Sequence, residues 1–174
     1  MAACVGIAGN FRLNLMPMPA QVTLGNGFLR INQSFSVAVS GTGDPRITAA
    51  VPRLLQRLFN QTHVALSDNK PIDAGSATFV INCGRGGDDE SYGLDISTTQ
   101  VRLTAPSALG VLHGIETFLQ LVQGVNPGFA VPVVTIVDKP RFPWRGLHLD
   151  VSRHWMPLEV VLRNLDGMAA VKLN

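Results

Sequence analysis

The chain has 174 residues, 46% of them hydrophobic, and a formal net charge of +2. That length can bury roughly 70% of the unfolded surface, which suits one well-formed domain plus a fragment but not an eight-unit β/α barrel, which alone takes about 250 residues. So small a charge, with no basic stripe interleaved with aromatics, argues against a nucleic-acid surface, and the longest apolar stretch, Ser107 to Val125, is broken by His113, Glu116 and Gln120 before it could form a membrane span.

Residues Met1 to Gly9 are small and apolar but lack a basic start. They read as an N-terminal extension or the remnant of a signal peptide. Residues 10 to 19, rich in Met and Pro, form an extended lead-in. Val22 to Leu24, Phe28 to Ile31 and Phe35 to Val39 are short β-prone runs, and the turn signals between them, Gly25-Asn26-Gly27 and Asn32-Gln33, favour antiparallel pairing. Asp44-Pro45 supplies an N-cap and first residue for a helix with Ile47, Val51, Leu54, Leu55, Leu58 and Phe59 on one face. Pro52 inside it predicts either a kink or a start near Ala49.

Ala77 to Cys83, Tyr92 to Ser97 and Val101 to Ala105 read as strands, the last two joined by a hairpin turn at Ser97 to Gln100. Gly84-Arg85-Gly86-Gly87 lacks the lysine and hydroxyl of a phosphate loop and opens no helix, so it reads as a mobile hairpin. Ser107 caps a second helix whose apolar residues Leu109, Leu112, Ile115, Phe118, Leu119 and Val122 cover more than one face, which predicts burial on two sides. Gly124 to Gly128 ends it, and Val131 to Val137 makes a final strand before Asp138-Lys139-Pro140. Strands grouped around two helices indicate an α+β domain over residues 10–138.

The remainder, 139–174, has a different character. Gly146 to Val151 reads as one apolar strand that delivers Asp150, Ser152, Arg153 and His154 to its C-terminal end. Pro157 then opens a helix with Leu158, Val161, Leu162, Leu165, Met168 and Ala169 on one face. One strand followed by one amphipathic helix is the first unit of a repeated β/α fold, and polar residues past such a strand sit on the face where barrel active sites are built.

Among the polar residues, Arg153 offers a rigid planar fork of donors suited to adjacent hydroxyls, although an Arg beside an Asp is also an ordinary ion pair. Asp150 reads either as the partner that orients Arg153 or a ligand hydroxyl, or as a buried carboxylate held by backbone donors. His148, Asp150 and His154 suggest a metal set only superficially, since residue 154 lies beyond the strand face that 148 and 150 share, and no metal is expected. Trp144 and Arg145 read as packing at the domain junction. Cys4 sits in the N-terminal stretch and Cys83 ends an apolar strand as a buried free thiol. Asn32-Gln33-Ser34 and Asn60-Gln61-Thr62 match the glycosylation pattern and carry little weight.

Taken together, Asp138-Lys139-Pro140-Arg141-Phe142, the run Trp144 to His154, Met156-Pro157-Leu158, Asn164 to Ala169 and Lys172-Leu173-Asn174 resemble the start of the catalytic domain of glycoside hydrolase family 20, the β-N-acetylhexosaminidases. Leu15-Met16-Pro17-Met18-Pro19 and Pro106-Ser107-Ala108-Leu109-Gly110 resemble the non-catalytic domain that precedes it. The resemblance implies that residues 139–174 are the first strand and helix of an incomplete (β/α)8 barrel. It also implies a parent enzyme that releases terminal β-linked N-acetylglucosamine or N-acetylgalactosamine with retention, by substrate-assisted catalysis and without a cofactor. In that scheme the arginine matching Arg153 binds ring hydroxyls of the terminal sugar, while the catalytic Asp-Glu pair belongs to a later strand beyond Asn174. Of the acidic residues at the barrel start, Asp150, Glu159 and Asp166, none takes the acid role. A periplasmic or secreted location, N-acetylhexosamine glycans as substrates of the parent, and self-association through the open barrel fragment follow as expectations. The alternative is a non-catalytic structural or interaction module.

Overall fold

The computed structural model describes residues 13–41, 43–66 and 73–174, and the readings made on Met1 to Gly9 and Cys4 lie outside them. The chain divides into two compact units, one ending at Lys139 and the other comprising Pro140–Asn174.

The first unit contains β1 (Gln21–Ile31), β2 (Val37–Gly41), α1 (Pro45–Thr62), β3 (Phe79–Cys83), β4 (Tyr92–Ile96), β5 (Val101–Ala105), α2 (Ala108–Leu121), β6 (Gln123–Gly124) and β7 (Phe129–Asp138). The strands form one mixed sheet in the order β1-β7-β4-β5-β3-β2, with β6 also paired to β7. An α+β architecture is therefore present, but the pairing differs from a run of hairpins. β2 lies parallel to β3, and β3 parallel to β5. For β2 and β3 the reason is α1, whose length carries the chain back to the end of the sheet from which β2 started, so that the next strand runs the same way.

A second correction concerns residues 22 to 31. They form one strand, not two joined by a turn, and both halves pair antiparallel with β7, with a bulge between Leu24 and Phe28. Gly25-Asn26-Gly27 makes that bulge rather than a reversal. A Cβ on Gly25 would lie 2.6 Å from Val133 Cγ1, and Gly27 has φ +99°. Gly25 answers to the neighbouring strand and Gly27 to its own left-handed backbone.

Both helices begin as their caps dictate. The Asp44 side chain accepts the Arg46 N–H at 2.8 Å, and the Ser107 hydroxyl accepts from Leu109 and Gly110. α1 runs continuously across Pro52, with Ile47, Ala50, Val51, Leu54 and Leu58 buried, whereas Leu55 is half-buried and Phe59 exposed. α2 packs on α1 and on the sheet, which accounts for its broad apolar surface. The Arg57 guanidinium of α1 pairs with the Glu116 carboxylate of α2.

Alternate residues of the strands, among them Phe79 and Ile81, Leu94 and Ile96, Leu103, Val134 and Ile136, join the helices in one hydrophobic core. Phe35, Phe79 and Phe118 meet at its centre, with ring centroids 4.8 to 6.3 Å apart. The other sheet face is open, and Asp95, Arg102, Thr104 and Thr135 stand exposed on it. At the far end of β7 the buried Asp138 carboxylate accepts the Tyr92 hydroxyl at 2.8 Å and the Ala20 N–H at 3.1 Å, and Tyr92 also meets Thr117 Oγ1 at 2.6 Å. Burial, reinforced by the Asp138 charge, pushes the Tyr92 pKa far up, so its hydroxyl remains a donor.

The second unit holds α3 (Leu158–Ala170) but no strand. Residues 144–150 have no regular secondary structure and 151–153 form a turn, contrary to the strand read over Gly146 to Val151. An apolar run becomes a strand only when a neighbour completes its ladder, and the described residues of this unit offer a single rung, Asn174 N–H to the Arg145 carbonyl at 3.1 Å. The α3 helix starts after Pro157 as its sequence requires and ends with Lys172 at φ 60°. Lys172 N–H bonds Ala169 O at 3.0 Å and Leu173 N–H bonds Met168 O at 2.9 Å, a Schellman closure with lysine where glycine is usual. No residue of α3 is buried; Leu158, Leu162 and Leu165 are each more than half exposed.

Two outcomes follow. At Gly110 a Cβ would stand 2.1 Å from the Ser91 carbonyl oxygen, whereas at Gly114 it would meet the movable methyls of Leu103. Gly110→Ala should therefore lower the unfolding free energy by about 1–3 kcal/mol despite the better helix propensity of alanine, and Gly114→Ala by less. Urea titrations with unchanged slope would measure both. Secondly, hydrogen exchange on dilute protein should find amides 158–171 far less protected than those of α2, with protection rising with concentration if the Leu158–Leu162–Leu165 stripe pairs between copies. Equal protection at every dilution would show that the second unit is self-sufficient.

Candidate functional site

The polar run after residue 149 folds on one side chain. Asp150 Oδ1 accepts the Ser152 N–H at 3.0 Å, the Ser152 hydroxyl at 2.6 Å and the Arg153 N–H at 3.3 Å, closing an Asx turn. Asp150 Oδ2 faces the Arg153 Nε at 3.6 Å, an ion pair rather than a hydrogen bond. The Arg153 side chain is 86% exposed.

The Ser152 hydroxyl foremost holds the Asp150 pKa below the usual carboxylate value; desolvation opposes it, and the Ser152 and Arg153 backbone amides add to the lowering. Asp150 is therefore ionised at neutral pH. The turn's contribution is complete above the ordinary carboxylate range and fades as pH falls through the depressed value.

The two residues singled out from sequence, Arg153 and Asp150, are thus brought together. Asp150 is not the buried carboxylate that one reading allowed, since it is exposed. His148 and His154 are exposed as well, and among the described residues no three His, Cys, Asp or Glu side chains form a group that could hold a metal ion. Glu159 stands in the first turn of α3 and Asp166 further along it, both exposed. The sequence's one Asp-Glu dipeptide, Asp89-Glu90, lies in the loop before β4, where Asp89 Oδ1 accepts the Ser91 N–H and the Asp89 carbonyl accepts the Ser107 hydroxyl. It is occupied with loop structure.

Sequence reasoning missed the role of Arg145. Its Nε donates to the Lys172 carbonyl at 2.9 Å and its Nη1 to the Phe142 carbonyl at 2.8 Å, while its N–H reaches Asn174 Oδ1 at 2.9 Å. Asn174 Nδ2 completes the clasp at the Pro143 carbonyl, 2.7 Å away. These bonds knit the two ends of the second unit together. Ser152 was placed in the polar group but its bond to Asp150 was not foreseen, although Asp-x-Ser is a local signal for such a turn.

The first unit contributes a trough of about 630 Å³ beside the open sheet face, where Gly93 lacks a side chain between Val137 and Thr104. Ser40, Asn82 and Lys139 also line it. The loop at Gly84 to Gly87 beside it is anchored rather than free, through Gly84 N–H to the Ala105 carbonyl and Gly86 N–H to the Pro106 carbonyl.

Comparison with known proteins bears directly on both units. Residues 15–121 match the family model described as beta-acetyl hexosaminidase like, and residues 142–174, which contain the Asp150–Arg153 turn, match the glycosyl hydrolase family 20 catalytic domain. The chain belongs to glycoside hydrolase family 20. A chitobiase structure from Flavobacterium johnsoniae is 44% identical with a TM-score of 0.86, over 93% of this chain and 26% of that one. An N-acetyl-beta-hexosaminidase of Streptomyces plicatus, in complex with Thio-NAglucal, is 31% identical with a TM-score of 0.78, over 92% of this chain and 33% of that one. The beta-hexosaminidase subunit beta of Felis catus is 33% identical over 92% of this chain and 33% of its own length. A Vibrio furnissii beta-hexosaminidase is 30% identical over 93% and 25% respectively. The family 20 chain thus spans about a quarter to a third of these relatives.

Proposed function

We propose that this chain is the N-terminal part of a retaining exo-β-N-acetylhexosaminidase acting on glycans that end in β-linked N-acetylglucosamine or N-acetylgalactosamine. On this reading residues up to 138 form the non-catalytic domain and 139–174 the opening of the catalytic barrel. The observation that carries it is the Asp150–Arg153 turn, which lies inside the segment matched to the catalytic domain and holds an exposed guanidinium.

In the parent reaction the substrate's own acetamido oxygen attacks the anomeric carbon as an acid protonates the leaving oxygen. This chain's part is positional. Arg153 donates to two neighbouring hydroxyls of the terminal sugar, and its fixed charge and planar fork hold the ring where the acetamido group can reach. Asp150 orients the guanidinium. The acid and the carboxylate that steadies the acetamido group come from residues other than those assigned here.

Accordingly, the purified 174-residue protein should not turn over a chromogenic N-acetylglucosaminide, since general acid catalysis alone is typically worth about 10² to 10⁴-fold. Detectable turnover by rigorously pure chain would contradict the assignment of the acid to another segment. In a full-length enzyme carrying this segment, Arg153→Lys keeps the charge but loses the fork, and should cost on the order of 10- to 150-fold in kcat/KM. Unchanged kinetics would remove Arg153 from the site.

A second reading rests on the exposed stripe of α3. Leu158, Leu162 and Leu165, with Trp155 84% exposed nearby in sequence, present the apolar surface of an interaction module that associates with another copy of itself. Sedimentation equilibrium separates the two, because a monomer at high micromolar concentration leaves the stripe no role between copies.

A further inference from the structure

We propose that the Ser152 hydroxyl is a positioning group for Arg153: by occupying one oxygen of the Asp150 carboxylate it holds the plane of that group so that the other oxygen faces the guanidinium. This rests on the reading of Arg153 as the sugar-binding residue and adds to it a determinant of how well that residue is aimed.

A carboxylate is planar and has two equivalent oxygens, so an exposed Asp beside an exposed Arg ordinarily samples several pairings. Here Oδ1 takes three donors, and the shortest contact is the Ser152 hydroxyl at 2.6 Å. The two backbone donors fix the path of the turn. The hydroxyl is the one donor that can be removed without altering the backbone. With one oxygen so occupied, rotating the carboxylate plane away from this orientation would strain or break all three bonds, and the other oxygen stays 3.6 Å from Arg153 Nε.

That contact engages only the inner nitrogen of the guanidinium. No hydrogen bond engages the Arg153 guanidinium among the described residues, and its side chain is exposed, so its donors are open to a ligand. The arrangement divides the labour: the carboxylate steadies the guanidinium from behind, and the hydroxyl steadies the carboxylate. The same hydroxyl leads the groups that keep Asp150 ionised.

The test combines kinetics in a full-length enzyme carrying this segment with side-chain NMR on the 174-residue chain. Ser152→Ala should raise KM for a chromogenic N-acetylglucosaminide about 3- to 10-fold with kcat within about twofold, because loss of aim weakens ground-state and transition-state binding alike. Ser152→Thr, which retains a hydroxyl, should restore KM. In the chain itself Ser152→Ala should shift the Arg153 Nε–H resonance toward that of free arginine, and Ser152→Thr should not. An unchanged KM in Ser152→Ala, where Arg153→Ala raises it, overturns the proposal while leaving Arg153 in place. A fall in kcat at constant KM in both serine variants assigns Ser152 a structural role only and also overturns it. If Arg153→Ala itself leaves KM unchanged, the sugar-binding reading fails first, and an unmoved Nε–H resonance then overturns the local claim as well.

Discussion

The close seating of α2 on the sheet governs the first unit. A sheet with one helical layer must bury its apolar face against whatever covers it, and the depth of that burial depends on how near the helix axis can come. Gly110 and Gly114, one turn apart, bring the α2 backbone against Ser91 and Leu103. From that depth Phe118 reaches Phe35 and Phe79, and Thr117 reaches the Tyr92 hydroxyl beneath. α1 then completes the cover from the side, which is why α2 is apolar on two flanks while α1 keeps a wet one. The open sheet face follows from the same arrangement, since both crossover helices lie on one side.

The second unit inverts this economy. Its helix presents two apolar stripes, one half-buried through Val160, Val161 and Met168, the other exposed through Leu158, Leu162 and Leu165. Its order comes instead from hydrogen bonds: the Arg145–Asn174 clasp, the closure at Lys172 and the turn around Asp150. Such bonds define geometry well but contribute only modestly to net stability, because water offers the same groups competing partners. A residue held this way is placed by direction rather than by packing, and Arg153 stands in solvent with its Nε 3.6 Å from the Asp150 carboxylate.

What the sequence disclosed divides along the same line of local against distant causes. Helix positions were legible because Asp44-Pro45 and Ser107 cap their own next turns and the apolar spacing is a property of each segment alone. Val101 to Ala105 was legible because its alternation reflects one covered and one open face. The bulge at Gly25 to Gly27 was not, since the same residues signal a turn, and only the nearness of Val133 on β7 decides between the two. Parallel pairing of β2 with β3 likewise depends on where α1 returns the chain. Gly146 to Val151 carries the composition of a strand, but strandedness belongs to a pair. For the site, Arg153 and Asp150 were found through motif and position, Ser152 was legible in principle from Asp-x-Ser, and Arg145 was beyond reach because its partners Lys172 and Asn174 lie 27 and 29 residues away.

That separation bears on the order in which the molecule assembles. The clasp between Arg145 and Asn174 closes a loop of about 30 residues, much of it already shortened by a helix that forms on its own timescale, so the entropy lost on closure is small. The sheet, by contrast, joins β1 to β7 across more than a hundred residues of chain. Contacts of short separation form early and those of long separation late. The loop that carries the Asp150–Arg153 turn is therefore the cheaper of the two closures in chain entropy, whereas the larger unit must fix its register across most of its length.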